Sequence, residues 1–246
     1  MPTPPDPAVL YPDIAAHGSL AVALRSEGAG CLETVSVAPS DSAPLLHATV
    51  MSTLPHRGWL EISARRHERL WSIWGTDSFQ NMPLVDGCTN DLAEVARAAR
   101  AWHDGVALDD IHRAAPFAHP TGRFEVPDRD PVLLTESEWQ GKRQEADELE
   151  YPWAKTHQSL IESAYAQPTL RALYPFTSHW ALRFSTTTRP RLTVVGPWLA
   201  AHSDGTYGVG RNATGADLGR FATASEAVTL AVRHMSADLA PIALGG

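Results

Sequence analysis

The stretch PFAHPTGRFEVPDRDP at residues 116–131 constrains the fold of this chain most strongly. It carries four prolines and has neither a helical nor a strand period. Because proline lacks a backbone N–H and fixes φ, a regular element is not expected to run through it. A chain of 246 residues can form two small domains. We therefore predict an N-terminal module over residues 8–115, a connector over 116–131 and a C-terminal module over 132–240.

The N-terminal module is predicted to combine helices with an antiparallel sheet. Residues 8–27 have the spacing of a helix, with Leu20 and Leu24 on one face. Four runs rich in strand-forming residues follow, at 35–37, 46–51, 59–64 and 70–74. Asn90 or Asp91 is expected to cap the next helix, with Glu94 three positions after Asp91 as in a capping box, and a short helix is expected at 108–115.

The C-terminal module repeats this order of elements. Thr135 and Glu138 are predicted to open a helical region that reaches Gln167 and is interrupted near Pro152. Strands are expected at 173–186, 191–195, 198–202 and 206–209, with a hairpin turn at residues 203–205. Thr223 and Glu226 cap a last helix.

The predicted fold class is therefore α+β. Two similar modules would each pack helices on one face of an antiparallel sheet. The matching order of elements suggests an internal duplication, although residue identity between the halves is poor. Since clefts form where modules meet, a ligand site is expected at their junction.

Charge and composition exclude several classes of partner. A net charge of -8 and a pI near 5.7 argue against nucleic acid and anionic membranes, because both attract a concentrated positive field. No apolar run approaches the roughly 20 residues that span a bilayer. Cys31 and Cys88 lie far apart, and MPTPPDPAVL lacks the features of a secretory signal. We therefore expect a cytoplasmic protein and leave a homodimer open.

The segment LYPFTSHWALRFST at 173–186 supplies the candidate catalytic residues. Read as one strand, it places His179, Arg183 and Ser185 on one face, because successive side chains point to opposite faces. His179 could act as a general acid or base, and Arg183 could stabilise an oxyanion or bind a carboxylate. An outer sheet face exposed to water explains the same pattern equally well.

Further residues complete this candidate site. Phe176 and Trp180 flank His179 closely enough to suggest that it is buried, and these two residues and Ser185 are the expected substrate-binding residues. His202 and Tyr207 lie on either side of the predicted hairpin turn and could supply a second acid or base, although such residues often only decorate a hairpin. In the N-terminal module Trp59 and Glu61 share a strand face, where Glu61 could bind substrate or form a cross-strand charge pair.

The sequence predicts no metal site and no cofactor. The eleven histidines are scattered, and the spacings HxH, HExxH and CxxC are absent. The nucleophile motif GxSxG is absent as well, and no Walker lysine follows the glycines near residue 210.

Four segments resemble one family of proteins. They are DLAEVARAARAWHDGVALDDIHRAAPFAH at 91–119, GRFEVPDRDP at 122–131, LTESEW at 134–139 and LRALYPFTSHWALRFSTTTRPRL at 170–192. With them the chain resembles an actinobacterial family of uncharacterised proteins labelled as natural product biosynthesis proteins. The resemblance implies a soluble protein encoded near genes of secondary metabolism, and it carries over no set of catalytic residues.

Two functions from different classes are compatible with these observations. The first is a cofactor-independent acid–base tailoring enzyme, such as a ring-forming cyclase or a dehydratase, which acts on an apolar, polyketide-like small molecule. The second is a non-catalytic binding protein, either chaperone-like or immunity-like, with a polypeptide partner. Whether the protein is an enzyme is left open by the sequence.

Overall fold

The structure is a computed structural model that describes residues 5–27, 30–211 and 217–246. The chain divides between Thr121 and Gly122 into two compact units, here called the N-terminal unit and the C-terminal unit. Each unit contains helices and an antiparallel sheet, which confirms the α+β class. No helix among the described residues is long and apolar enough to cross a membrane.

The N-terminal unit surrounds a six-stranded antiparallel sheet whose strands lie in chain order. Its strands are β1 (Val37–Pro39), β2 (His47–Met51), β3 (Arg57–Ala64), β4 (Trp71–Asp77), β5 (Pro83–Thr89) and β6 (His119–Pro120). Its helices are α1 (Pro7–Leu10), α2 (Pro12–Ala16), α3 (Leu20–Glu27), α4 (Leu92–His103) and α5 (Leu108–Ala114). The buried face of the sheet packs against the apolar faces of α3 and α4 in a single core that includes Trp71 and Trp102.

The single helix predicted over residues 8–27 is wrong, because three short helices occupy that range. Pro12 occupies the first turn of α2, where its missing N–H is tolerated and its ring ends the preceding helix. Gly18 has φ of +78°, a left-handed conformation that separates α2 from α3. The predicted cap at Asp91 is confirmed, since its carboxylate accepts from the N–H groups of Ala93 and Glu94. The reciprocal half of the predicted capping box is wrong, because the carboxylate of Glu94 accepts from the hydroxyl of Thr89 at 2.7 Å and the N–H of Asp91 donates to the same hydroxyl.

The C-terminal unit contains a five-stranded antiparallel sheet of order β12-β11-β10-β8-β7 and a separate parallel pair, β9 with β13. Its strands are β7 (Tyr174–Ser178), β8 (Ala181–Ser185), β9 (Thr187–Pro190), β10 (Val194–Ala201), β11 (Tyr207–Gly210), β12 (Gly219–Phe221) and β13 (Ala243–Gly245). Its helices are α6 (Pro131–Asp147), α7 (Ala154–Tyr165), α8 (Pro168–Arg171) and α9 (Ala224–Arg233). The capping box of Thr223 and Glu226 and the helix break near Pro152 are both confirmed.

Three expectations for this unit are wrong. The two strands expected at 191–195 and 198–202 are one strand, β10, whose pairing with β8 shifts register between Val195 and Leu199. Helix α6 begins at Pro131 rather than at Thr135, because Asp130 caps it by accepting from the N–H groups of Val132 and Leu133. The strand expected at 173–186 is a hairpin of β7 and β8, and His179 with Trp180 forms its two-residue turn. His179 therefore does not share a strand face with Arg183 and Ser185. The two units share an order of helices, antiparallel strands and a closing helix, and the duplication stays a prediction.

A buried ion pair fixes α6 within the C-terminal unit. Arg123 donates to both carboxylate oxygens of Glu138, from Nε to Oε2 at 2.7 Å and from Nη2 to Oε1 at 3.1 Å. The two side chains are only 8% and 2% exposed. One turn further along α6, the ammonium of Lys142 contacts Glu145 at 2.6 Å and the hydroxyl of Thr177 at 3.2 Å. Since a buried charge is tolerated only with a partner, these contacts couple α6 to the segment before it and to β7.

We expect Glu138→Ala to destabilise the protein by about 3–5 kcal/mol, because the substitution leaves the guanidinium of Arg123 buried without its carboxylate. Glu162→Ala is the matched control, since Glu162 forms an equally bidentate but half-exposed pair with Arg143. Its loss should change stability by about 0–1 kcal/mol. Urea unfolding followed by tryptophan fluorescence measures both changes. Equal losses in the two variants would show that the Arg123–Glu138 pair does not fix α6.

Candidate ligand-binding site

The turn between β7 and β8 holds His179 and Trp180 in an unusual conformation. Their φ angles are +51° and +66°, whereas two-residue hairpin turns with positive φ at both positions normally contain Asn and Gly. A left-handed conformation costs an L-residue with a Cβ about 1–2 kcal/mol. Both side chains are exposed, and the Oγ atom of Ser178 lies 3.3 Å from Nδ1 of His179.

The other residues predicted around this segment have separate environments. Arg183 is half-buried on β8, opposite the buried Phe176 of β7. Ser185 is fully buried, and its hydroxyl donates to the carbonyl of Thr187 at 2.7 Å and accepts from two backbone N–H groups. Ser185 therefore fixes the backbone at the end of β8, and its hydroxyl is engaged in that role. The structure shows no contact that joins His179 to Arg183.

His202 and Tyr207 flank the hairpin turn that the sequence predicts, and the turn is confirmed. The N–H of His202 donates to the carbonyl of Thr206 at 2.9 Å, and Ala201 pairs with Tyr207. Tyr207 belongs to the apolar core of the C-terminal unit. Burial, with a smaller contribution from Arg220, lowers the pKa of His202 below its ordinary value, so the imidazole is neutral near pH 7.

Trp59 and Glu61 lie on the outer face of the sheet in the N-terminal unit. Both are exposed on β3, where their neighbours Leu60 and Ile62 point into the core. The carboxylate of Glu61 accepts from the hydroxyl of Ser63 at 3.3 Å. It also lies 3.9 Å from Nδ1 of His47 on the neighbouring strand β2, which matches the cross-strand pair that the sequence left open as an alternative to substrate binding.

A cleft of about 990 Å³ lies within the C-terminal unit. Three segments form its walls: the first turns of α6, the region of α8, and the chain from the end of α9 to Ile242. Apolar side chains line most of it, and the polar side chains in the walls include those of Glu136 and Arg171. The apolar lining consists of Val132, Pro168, Ala172, Leu173, Val232, Met235, Ala237, Leu239, Ala240, Pro241 and Ile242. A cleft of this size and lining accommodates a small apolar molecule.

Glu136 and Arg171 form the polar centre of the cleft wall. The guanidinium of Arg171 donates from Nη2 to Oε2 of Glu136 at 3.1 Å and stacks on the ring of Tyr165, with Cζ 4.4 Å from the ring centroid. Oε1 of Glu136 accepts from the hydroxyl of Tyr165 at 2.5 Å and from the side-chain amide of Gln140 at 2.6 Å. The carboxylate is therefore held by donors on both oxygens.

These contacts set the pKa of Glu136, which lines the cleft, and the pKa of its hydrogen-bond partner Tyr165. Burial disfavours the charged form of Glu136, but hydrogen bonds from Tyr165, Gln140 and Arg171 outweigh it and hold the pKa of the carboxyl below its usual value. Burial and the hydrogen bond to Glu136 raise the pKa of Tyr165. Near neutral pH the carboxyl is therefore ionised and the phenol is protonated. Both pKa values are far from pH 7, the range in which general acid–base catalysis is most effective.

Sequence reasoning missed this cleft. Glu136 lies within a helix, and its partner Arg171 follows 35 positions later in a helix of four residues. The third wall depends on β13, which pairs with β9 and holds the chain end in place through bonds such as Ala243 N–H to Thr186 carbonyl at 3.0 Å. A parallel pair of strands this short leaves little trace in the sequence. Among the described residues, no group of three or more His, Cys, Asp and Glu side chains could hold a metal ion.

The cleft lies almost entirely within a stretch that matches a known family. A DUF6193 domain, described as a family of unknown function, is found at residues 133–246. All the cleft-lining residues except Val132 belong to this DUF6193 domain. Neither the curated proteins nor the solved structures include one that matches the chain.

The strained turn makes a direct prediction for Trp180. Glycine normally destabilises a regular element relative to alanine, but glycine adopts a positive φ without a penalty. We therefore expect Trp180→Gly to be more stable than Trp180→Ala by about 1 kcal/mol, since both variants lose the same indole and only the alanine keeps a Cβ in a left-handed conformation. Thermal or urea unfolding of the two variants gives this difference. If the alanine variant proved as stable as the glycine variant, the turn would be unstrained.

Proposed function

We propose that the C-terminal unit binds an apolar small molecule in the cleft between α6, α8 and the chain end at 235–242. The observation that supports this most strongly is the cleft itself, with about 990 Å³ of space and a predominantly apolar lining around one ion pair. Small-molecule sites in proteins have this size and this combination of apolar walls with a few fixed polar groups.

The ion pair defines which polar group the ligand would carry. Glu136 and Arg171 neutralise each other, and several donors already hold the carboxylate. A ligand carboxylate or ammonium would have to compete with this pair, whereas a hydroxyl or a carbonyl can hydrogen-bond beside it. The proposed ligand is therefore an apolar skeleton with neutral oxygen groups, which is the chemistry of a polyketide-like molecule.

The ionisation states of Glu136 and of its partner Tyr165 favour binding over catalysis. An ionised carboxylate with a low pKa is a weak base, and a phenol with a raised pKa is a weak acid. As part of the same proposal, we place this binding in the cytoplasm and in natural product biosynthesis. The resemblance of residues 91–192 to proteins with that label supports this setting.

Ring closure or dehydration is a second candidate function for the same cleft. The position of Glu136 is the observation that supports this alternative, because its carboxylate lies in the wall of the cleft, where a bound substrate would meet it. Its low pKa, which makes it a weak base, opposes the alternative. In this alternative a polyketide-like substrate is converted, and Glu136→Gln abolishes turnover while binding persists. If the protein only binds its ligand, the compound is recovered unchanged from both wild type and Glu136→Gln.

The fluorescent apolar probe N-phenyl-1-naphthylamine tests the binding proposal. We expect a saturable site, and we expect Ala172→Trp to weaken it at least about tenfold by filling the cleft. Ala166→Trp is the matched control: Ala166 and Ala172 are both exposed residues that end a helix with similar backbone angles, and only Ala172 lines the cleft. Fluorescence titration measures the three affinities.

Two outcomes would contradict the proposal. One is the absence of saturable probe binding by the folded wild-type protein. The other is equal weakening by Ala172→Trp and Ala166→Trp, which would place the probe outside the cleft.

A further inference from the structure

Three aromatic rings meet at the surface of the C-terminal unit, and we call them the aromatic corner: Tyr151, Trp153 and Trp180. The rings of Tyr151 and Trp153 are nearly parallel, with an interplanar angle of 8° and centroids 5.7 Å apart. The ring of Trp180 stands at 73° to Tyr151 and at 78° to Trp153, with centroid distances of 6.0 and 5.1 Å. The three rings come from the loop between α6 and α7 and from the β7–β8 turn.

Two features of the aromatic corner are energetically unfavourable. Tyr151 and Trp180 are 55% and 43% exposed, so large apolar surfaces remain in water. Trp180 also follows His179 in a turn where both residues have positive φ. Strained backbone of this kind is concentrated at functional sites, where the surrounding structure maintains it. A turn of Asn and Gly would close the same hairpin without strain but would place no indole there.

A buried polar atom lies beside these rings. His157 of α7 is only 2% exposed, and its ring is perpendicular to those of Trp153 and Trp180, at 88° and 89°. Among the described residues, Nδ1 of His157 has no hydrogen-bond partner. Burial lowers the pKa of this imidazole, and Lys142 lowers it further while Glu145 opposes the shift. His157 therefore presents a neutral ring to the aromatic corner.

The charged residues that flank the aromatic corner in the sequence are mostly negative. Asp147, Glu148 and Glu150 lie within four residues before Tyr151, and all three are exposed. The exposed Lys155 follows Trp153. Negative charge beside exposed aromatic faces attracts a cation, because the face of an aromatic ring is itself the negative end of its quadrupole.

We propose that the aromatic corner binds a quaternary alkylammonium cation. The three centroids lie 5.1–6.0 Å apart, so a cation on the exposed side of the rings can lie within roughly 6 Å of all three, which is the range of cation–π attraction. Its methyl groups would contact the exposed ring surfaces, and the neutral His157 adds no competing positive charge. The site shares no residue with the cleft proposed above, so either can exist without the other.

Choline and its neutral isostere 3,3-dimethylbutan-1-ol test the charge preference. The two molecules have nearly the same shape, and only choline is charged. We expect choline to shift the NMR signal of the Trp180 indole N–H in a saturable way and to bind at least about tenfold more tightly than the isostere. Equal affinity of the two molecules would overturn the proposal, because the site would then recognise shape alone.

Two variants locate the site. Trp180→Gly relieves the turn while it removes one ring, and Tyr151→Ala removes another exposed ring, so we expect each to weaken choline roughly 2- to 30-fold. Trp59→Ala is the control, since it removes an exposed indole from the N-terminal unit. If Trp59→Ala weakened choline as much as Trp180→Gly, binding at the aromatic corner would be refuted.

The source of the cation requires a separate comparison. A peptide containing trimethyllysine carries the same ammonium group as choline, and the two can be titrated in parallel. Tighter binding of the peptide would indicate a methylated protein as the natural source, and tighter binding of choline would indicate a small molecule. Both outcomes support the alkylammonium site, whereas binding of unmethylated lysine peptide with equal affinity would contradict it.

Discussion

The architecture of the C-terminal unit depends on the buried ion pair between Arg123 and Glu138. Removing one partner would leave the other charge buried and unpaired, so we expect the pair to hold α6 in the position in which both side chains are matched. Helix α6 then presents different residues on different faces. Glu136 points to the cleft, whereas Glu138 and Lys142, four residues apart, share the face that contacts Arg123 and Thr177.

The two candidate sites of this unit differ in how favourable their local structure is. The cleft is assembled from ordinary elements, and its polar centre is stabilised by four donors around one carboxylate. The aromatic corner instead maintains a strained turn and exposed rings. The positive φ angles of this turn are unfavourable for residues with a Cβ, and the cation binding proposed above would account for an indole at this position.

The sequence predicted the fold class and most regular elements because hydrophobic period and capping residues are local signals. The strand at 59–64 alternates buried and exposed residues as expected, and Thr223 with Glu226 forms the capping box that its spacing indicates. His179 and Trp180 were misread because the alternation of LYPFTSHWALRFST continues through the turn. Without Gly or Asn, nothing in the segment marked a hairpin.

The cleft could not be predicted for a different reason: it depends on contacts between residues far apart in the chain, such as Glu136 with Arg171 and β9 with β13. A direct test is to observe N-phenyl-1-naphthylamine by NMR in protein with labelled methyl groups. Intermolecular NOEs from the probe to the methyl groups of Val232, Met235 and Ile242 are the result that we expect. NOEs confined to methyl groups outside the cleft would contradict the central claim.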